Sequence, residues 1–130
     1  MSRPVVLCFN VPSDKLAKVR FGCMRLGVLV KSVESADFHQ PLGALCGMTP
    51  PAETAEPAEP FTGEMLVMAN LNRQQAERLL SSLKQSRVNI PLKAVLTPTN
   101  AAWDCIRLHA ELTAERSAIE GGQSASHAHE

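Results

Sequence analysis

The sequence predicts an α/β domain built from two strand–helix–strand halves. Three observations indicate this fold class: each half opens with an apolar run of strand length, continues with an apolar stripe at helical spacing, and closes with a second strand-like run. The chain has 130 residues, of which 45% are hydrophobic, and this is enough for one compact core. We therefore expect a single domain over residues 1–120, with halves at 4–48 and 63–119.

The first half begins with a buried strand at Val5 to Phe9, because all five residues are apolar. Ser13 stands where a helix N-cap is expected, and Gly27 stands where the helix should end. Val28 to Val33 is the second strand. The helix carries one apolar stripe, formed by Leu16, Val19, Cys23 and Leu26.

The second half repeats this pattern. Met65 to Ala69 is the third strand, again apolar throughout. Asn72 and Gln75 have the spacing of a capping box, which predicts the start of the second helix. Leu92 to Leu96 is the fourth strand, and Thr97-Pro98 ends it.

The order of the strands follows from their polarity only in part. Strands one and three should be central and covered on both faces, while strands two and four carry polar residues and should form the edges. The doubled βαβ unit favours a ferredoxin-like sheet ordered 4-1-3-2. A small doubly wound parallel sheet ordered 2-1-3-4 is the alternative. The second sheet face then needs cover from a third helix, from residues 36–48 or from another subunit.

The two halves also resemble each other residue by residue. Placing Asn10 on Asn70 brings Val28 onto Val88, and a further shift of two residues brings Lys31 onto Lys93. This correspondence predicts an internal duplication, and chance similarity between two βαβ units is the alternative.

Two segments lack the pattern of a folded element. Residues 49–62 alternate proline with glutamate, which predicts a flexible linker between the halves. Residues 121–130 are polar and predict a disordered tail. His127 and His129 lie in this tail without the fixed geometry of a metal site, so we expect neither a metal nor a cofactor.

The composition favours a cytoplasmic protein. No apolar run is long enough to cross a membrane, and the N-terminus lacks an export signal. Four well-separated cysteines without a Cys-x-x-Cys pair indicate reduced, buried thiols. Thirteen basic residues balance thirteen acidic ones, so nucleic acid is not expected as a partner and the basic helix faces are interpreted as solvated surface.

The turn from Thr97 to Asn100 is the strongest candidate for a ligand site. It follows a strand and opens a helix, so the amides and the Thr97 and Thr99 hydroxyls can face an anion. Gln40 and Gly43 are expected at the lip of the same pocket. Helix capping by Thr99 or Asn100, and a tight turn at residues 40–43, are the alternative interpretations.

One arrangement resembles a catalytic nucleophile. Cys46 precedes Gly47, and His39 lies upstream. No local signature surrounds the cysteine, and a lone cysteine among apolar residues is usually inert packing. We therefore predict no catalytic residue.

A third helix is expected from Thr99 or Asn100 to about Ile119. It has two apolar faces. One face carries Cys105, Leu108 and Leu112 and should cover the sheet. The other face carries Trp103, Ile106 and Ala110, which predicts an interface with a second copy or a partner. Burial of Trp103 under residues 36–48 of the same chain is the alternative.

Two segments carry a resemblance to a known family. Asp37 to Gly47 follows strand two, and Pro91 to Asn100 leads to Trp103. Together with residues 64–69 they resemble the bacterial family catalogued as domain of unknown function 3783, over most of residues 4–117. The long linker and the histidine-bearing tail depart from the compact pattern of that family. Because the family has no assigned activity, the resemblance implies the domain and no catalytic residues.

These observations lead to two functional hypotheses. The first is a small non-enzymatic binding or regulatory module that acts through self-association or a protein partner. The alternative is a ligand-responsive protein or small enzyme that uses the turn from Thr97 to Asn100.

Overall fold

The computed structural model describes residues 3–49 and 61–120, the last four of them as helix backbone only. Most of the predicted linker at 49–62, and all of the predicted tail at 121–130, lie outside the described residues. The strands are β1 (Val5–Phe9), β2 (Leu29–Val33), β3 (Met65–Ala69) and β4 (Leu92–Val95). The α-helices are α1 (Ser13–Leu26), α2 (Leu42–Leu45), α3 (Arg73–Gln85) and α4 (Cys105–Glu120), with 3-10 turns at Ser35–Asp37 and Asn100–Ala102.

The four strands form one mixed sheet in the order β2-β1-β3-β4. β1 pairs with β2 and β3 pairs with β4 in parallel, while the two halves meet through an antiparallel β1–β3 pair. The α/β class, the two βαβ halves and the central position of β1 and β3 are confirmed.

The predicted ferredoxin-like order 4-1-3-2 is wrong. The observed order is that of the doubly wound alternative, although the sheet is not parallel throughout. Each half closes its own parallel pair by a crossover through its helix, as a βαβ unit does. Both orders place β1 and β3 inside, so strand polarity could not distinguish them.

Helices cover both faces of the sheet. α1 and α3 pack on one face, where β1 and β3 contribute Val6, Cys8, Leu66 and Met68. The other face is covered by α2, α4 and the segment around Phe38. Both the third predicted helix and residues 36–48 therefore supply the second layer.

The starts of the helices differ in part from expectation. Pro12, and not Ser13, holds the N-cap position of α1, and its carbonyl accepts from Leu16 N at 2.8 Å. Ser13 is already the first helical residue, so its predicted capping role is wrong. The capping box of Asn72 and Gln75 is confirmed, with reciprocal bonds of 2.7 and 2.9 Å.

The long C-terminal helix begins later than predicted. α4 starts at Cys105, and the carboxylate of Asp104 accepts from the backbone N–H of Arg107 at 2.8 Å. Asp104 therefore performs the capping role that was predicted for Thr99 or Asn100. Asn100 instead begins a separate 3-10 turn, because its side chain is bonded back to Thr97.

Equivalent residues of the two halves lie 60 positions apart up to Val28 and Val88. At the ends of α1 and α3, Val28 N donates to Cys23 O and Val88 N donates to Leu83 O. Beyond that point the second half has three more residues, Asn89 to Pro91, because Leu29 pairs with Val5 whereas Leu92 pairs with Met65. The extra shift is thus three residues, not two. Duplication as the origin of the likeness stays a prediction.

Candidate functional site

The predicted turn at Thr97–Asn100 is closed by its own hydrogen bonds. Thr97 N donates to Asn100 Oδ1 at 2.8 Å, and Asn100 N donates to Thr97 Oγ1 at 3.1 Å. Asn100 is buried, and its Nδ2 donates to Val95 O at 3.1 Å. Thr99 is exposed. Most of the polar groups proposed for a ligand are therefore engaged in hydrogen bonds within this turn or to Val95.

The structure does bring the segment around Gln40 and Gly43 next to this turn. Gly43 is buried, and a Cβ added there would lie 3.2 Å from Ala101 O. Leu42 N donates to Trp103 O at 2.8 Å, and Gln40 contacts the ring of His39. Residues 40–43 and 101–103 are thus in direct contact, with close packing at Gly43.

The residues of the predicted interface lie at the start of α4. Trp103 and Ile106 are half-buried against the core, and Ala110 is exposed. The guanidinium of Arg107 lies 4.2 Å from the centre of the Trp103 ring. The Trp103 side chain is therefore partly buried by contacts within its own chain.

The four cysteines are free thiols, and burial raises the pKa of each. The pKa is raised to about 12 for Cys8 and Cys105 and to about 11 for Cys23 and Cys46. Lys31 offsets only part of the effect at Cys46. A thiol with so high a pKa holds little thiolate at neutral pH, so the environment of Cys46 opposes the nucleophile hypothesis.

Basic and acidic residues lie on opposite faces of the sheet. The sequence alone does not show this separation, because it depends on which helices pack on which face. α1 and α3 carry two acidic residues, Asp14 and Glu77, against seven basic ones: Lys15, Lys18, Arg20, Arg25, Arg73, Arg78 and Lys84. On the opposite layer, residues 34–49 and 97–116 carry five acidic residues and two basic ones. The described part of the chain therefore has one basic side and one acidic side.

Large apolar side chains are exposed on the basic side. Phe21 and Met24 on α1 are 60% and 70% exposed, and Leu80 on α3 is 38% exposed. Together with the nearby cations they define what we call the basic face: Phe21, Met24, Arg25, Arg78, Leu80 and Lys84. The sequence shows these cations and predicts a solvated helix surface for them.

Two open grooves border the basic face. The first, of about 280 Å³, lies between α1 and α3 and is lined by Arg25 and Arg78. Its floor is at Gly22, where a Cβ would meet Ser82 Oγ at 2.9 Å, so the glycine permits the close approach of the two helices. The second groove, of about 460 Å³, lies between the end of α3 and β4 and is lined by Lys84 and Arg87. We call the second one the end groove.

The described residues contain no metal-binding cluster of histidine, cysteine or carboxylate side chains. Over the same residues, no helix has both the length and the apolar character needed to span a membrane.

Fold and surface together define a small α/β domain whose outer helix layer is basic. Residues 64–119 match the model of a family described as a domain of unknown function, DUF3783. The match confirms the resemblance over the second half of the chain, from the residue before β3 to α4. The resembling segment at Asp37 to Gly47 lies outside the matched residues. No curated protein and no solved structure matches the chain.

Proposed function

We propose that this protein is a non-enzymatic binding module whose basic face docks an acidic surface of a protein partner. The observation that carries the proposal is the coincidence of exposed apolar side chains and unpaired cations on one surface. Interfaces of this kind combine apolar anchors with charges that complement the partner.

The cations of the basic face are available for a partner. Among the described residues, Arg78 and Lys84 make no side-chain hydrogen bond or ion pair. Arg25 lies over the Phe21 ring at 6.0 Å, which places a positive charge beside an exposed aromatic. An acidic side chain of a partner in the groove between Arg25 and Arg78 would face both guanidinium groups.

The apolar side chains favour a protein over a nucleic acid. Proteins that bind single strands stack bases on several aromatic side chains. Phe21 is the one large aromatic side chain that is well exposed in the described part of the chain, and the other large apolar side chains exposed on α1 and α3, Met24 and Leu80, are not aromatic. Such side chains fit the apolar positions of a protein surface.

We further propose that the module is one cytoplasmic domain. Four free thiols without a disulfide are typical of a reducing compartment. The ligand-responsive alternative at Thr97–Asn100 gains no support from the hydrogen bonds of that turn.

Fluorescence anisotropy tests the proposal with a labelled synthetic peptide of glutamate and leucine residues. The matched peptide carries lysine in place of glutamate. We expect the wild-type protein to bind the acidic peptide alone, with an affinity that falls as salt is raised.

The control variants separate the basic face from general charge. Arg78→Glu should weaken binding about tenfold or more, because it places a like charge in the groove. Lys31→Glu changes the net charge equally but lies on β2, and should bind as the wild type does. Equal loss in both variants would overturn the proposal, and tighter binding of an oligonucleotide would assign the face to nucleic acid.

A further inference from the structure

Each edge strand of the sheet has an outward-facing carbonyl that a side chain occupies: Val30 O on β2, and Val95 O on β4, which accepts from Asn100 Nδ2 at 3.1 Å. At the β2 edge, Arg20 Nη1 donates to Val30 O at 3.4 Å and occupies an outward-facing acceptor. At the β4 edge the equivalent strand residue is Lys93, because Val30 pairs with Val6 and Lys93 pairs with Leu66. The α3 residue equivalent to Arg20 is Leu80, which has no hydrogen-bond donor in its side chain. No described side chain donates to the Lys93 carbonyl. The β4 edge is thus left open at Lys93.

The two halves also differ at the end groove that borders this edge. Gly27 ends α1 with a φ of 72°, whereas Arg87 holds the equivalent position after α3 with a φ of 59°. A residue with a Cβ is disfavoured in this left-handed conformation. At this position Arg87 lines the end groove, whereas the equivalent residue of the first half, Gly27, has no side chain.

Of the three additional residues of the second half, Asn89 and Ile90 line the end groove and Pro91 follows them. Each of their carbonyls accepts from a different cation: Asn89 O from Lys15 at 2.8 Å, Ile90 O from Lys93 at 2.7 Å, and Pro91 O from Arg116 at 2.8 Å. A loop tied at three consecutive carbonyls is held in place before any ligand arrives, which lowers the entropy cost of binding.

The end groove therefore has a fixed wall, two cations without partners and an open backbone position, Lys93, beside it. Lys84 and Arg87 make no side-chain hydrogen bond or ion pair among the described residues. Along β4, Lys93 and Val95 are exposed and lie on the α3 side of the sheet, while Leu92 and Ala94 are half-buried on the other side.

We propose that an extended acidic segment of a partner protein adds to the sheet alongside β4. Its backbone pairs with the open edge at Lys93, and its acidic side chains reach Lys84 and Arg87 in the end groove. Because strand side chains alternate between the two faces, the segment alternates acidic with apolar residues. The inference rests on the proposed function, since it names the form of the acidic partner and its place on the protein.

Binding of a short synthetic peptide of alternating valine and glutamate to the full-length, ¹⁵N-labelled protein tests the inference. We expect the largest amide shifts at Lys93, Val95 and Arg87. A second peptide, N-methylated on alternate residues, keeps every charge but loses the backbone donors and should bind about tenfold more weakly or worse. Arg87→Gly should also weaken binding about tenfold, because one charge-assisted bond is lost.

The outcomes separate this inference from the proposed function. If the N-methylated peptide binds as well as the plain one, or if the shifts fall at Arg25 and Arg78, strand addition at β4 is wrong while docking on the basic face survives. Shifts along β2 would also overturn it. If neither this peptide nor the glutamate–leucine peptide binds, both proposals fail. Lys31→Glu is the control and should leave the affinity unchanged.

Discussion

Asn10 and Asn70, at equivalent positions of the two halves, each bind the chain that enters the other half. Both residues are left-handed, with φ of 59° and 63°. Asn10 Nδ2 donates to Phe61 O and Gly63 O at 2.9 and 3.0 Å, and Asn70 Nδ2 donates to Arg3 O at 3.2 Å. The two asparagines therefore join the halves beside the central β1–β3 pair.

Replacing Asn10 should separate its two contributions. Asn10→Gly keeps the left-handed backbone and removes the side-chain bonds, so we expect a loss of about 1 kcal/mol. Asn10→Ala should lose about 2 kcal/mol, because alanine is also strained at this φ. Asn70→Gly is the matched control and should cost less, since a single and longer bond is lost. Urea unfolding provides the measurement, and a wild-type stability for Asn10→Gly would contradict the role.

The helices and strands could be predicted because their own residues specify them, without information about which elements they pack against. Five consecutive apolar residues define each central strand, and the spacing of Asn72 and Gln75 defines the start of α3. The strand order depends on which edges meet, and it is not encoded in the polarity of any strand. The start of α4 was missed because the bond between Thr97 and Asn100 closes a separate turn.

The candidate site was harder to predict than the fold. The cations of α1 and α3 are visible in the sequence, but their separation from the acidic layer follows only from the packing of the sheet. The residues around Arg87 do not predict its left-handed backbone conformation. Its role becomes visible when it is compared with Gly27 in the other half.

Stability should depend on the protonation of His109. Its ring stacks on Phe61 with centroids 4.1 Å apart, and burial lowers the pKa of His109. The folded state therefore disfavours the charged imidazole more than the unfolded state does. The stabilisation should be complete above the ordinary histidine pKa of about 6.5 and be lost as pH falls through the lowered pKa.

Thermal unfolding at about pH 7.5 and about pH 5 measures this effect, since the two values bracket the ordinary pKa. His109→Phe keeps a stacked ring without a titrating group, so its melting temperature should fall less than that of the wild type on acidification. The carboxylates titrate in both proteins and cancel in the difference. An equal fall in both proteins would show that His109 does not contribute.

The thiols should be slow to react in the native protein. Burial raises the pKa of all four, with Cys46 at about 11 and less enclosed than the others. Titration with a disulfide reagent should label Cys46 first and slowly, and all four rapidly in denaturant. Rapid native labelling of Cys46 at neutral pH would instead support the nucleophile hypothesis.

Trp103 provides a test of self-association. Its carbonyl accepts from Leu42 N at 2.8 Å, and its side chain is half-buried in the core that contains Phe38 and Leu42. We expect Trp103→Glu to lower stability by about 2 kcal/mol, less than a fully buried aromatic would cost, without changing the molar mass in light scattering. A folded monomer replacing a wild-type dimer would establish Trp103, Ile106 and Ala110 as an interface.

The left-handed positions that end α1 and α3 should respond to substitution in opposite directions. Arg87→Gly should stabilise the protein by about 1 kcal/mol, because glycine adopts a positive φ without strain. Gly27→Ala should destabilise it by about 1 kcal/mol for the same reason. Arg87→Ala is the control, since it removes the guanidinium but retains the Cβ, and should leave the urea midpoint almost unchanged. If Arg87→Gly were less stable than Arg87→Ala, the backbone would not be strained there. A more stable Arg87→Gly that no longer binds the acidic peptide would show that arginine is kept at this position for binding at the expense of stability.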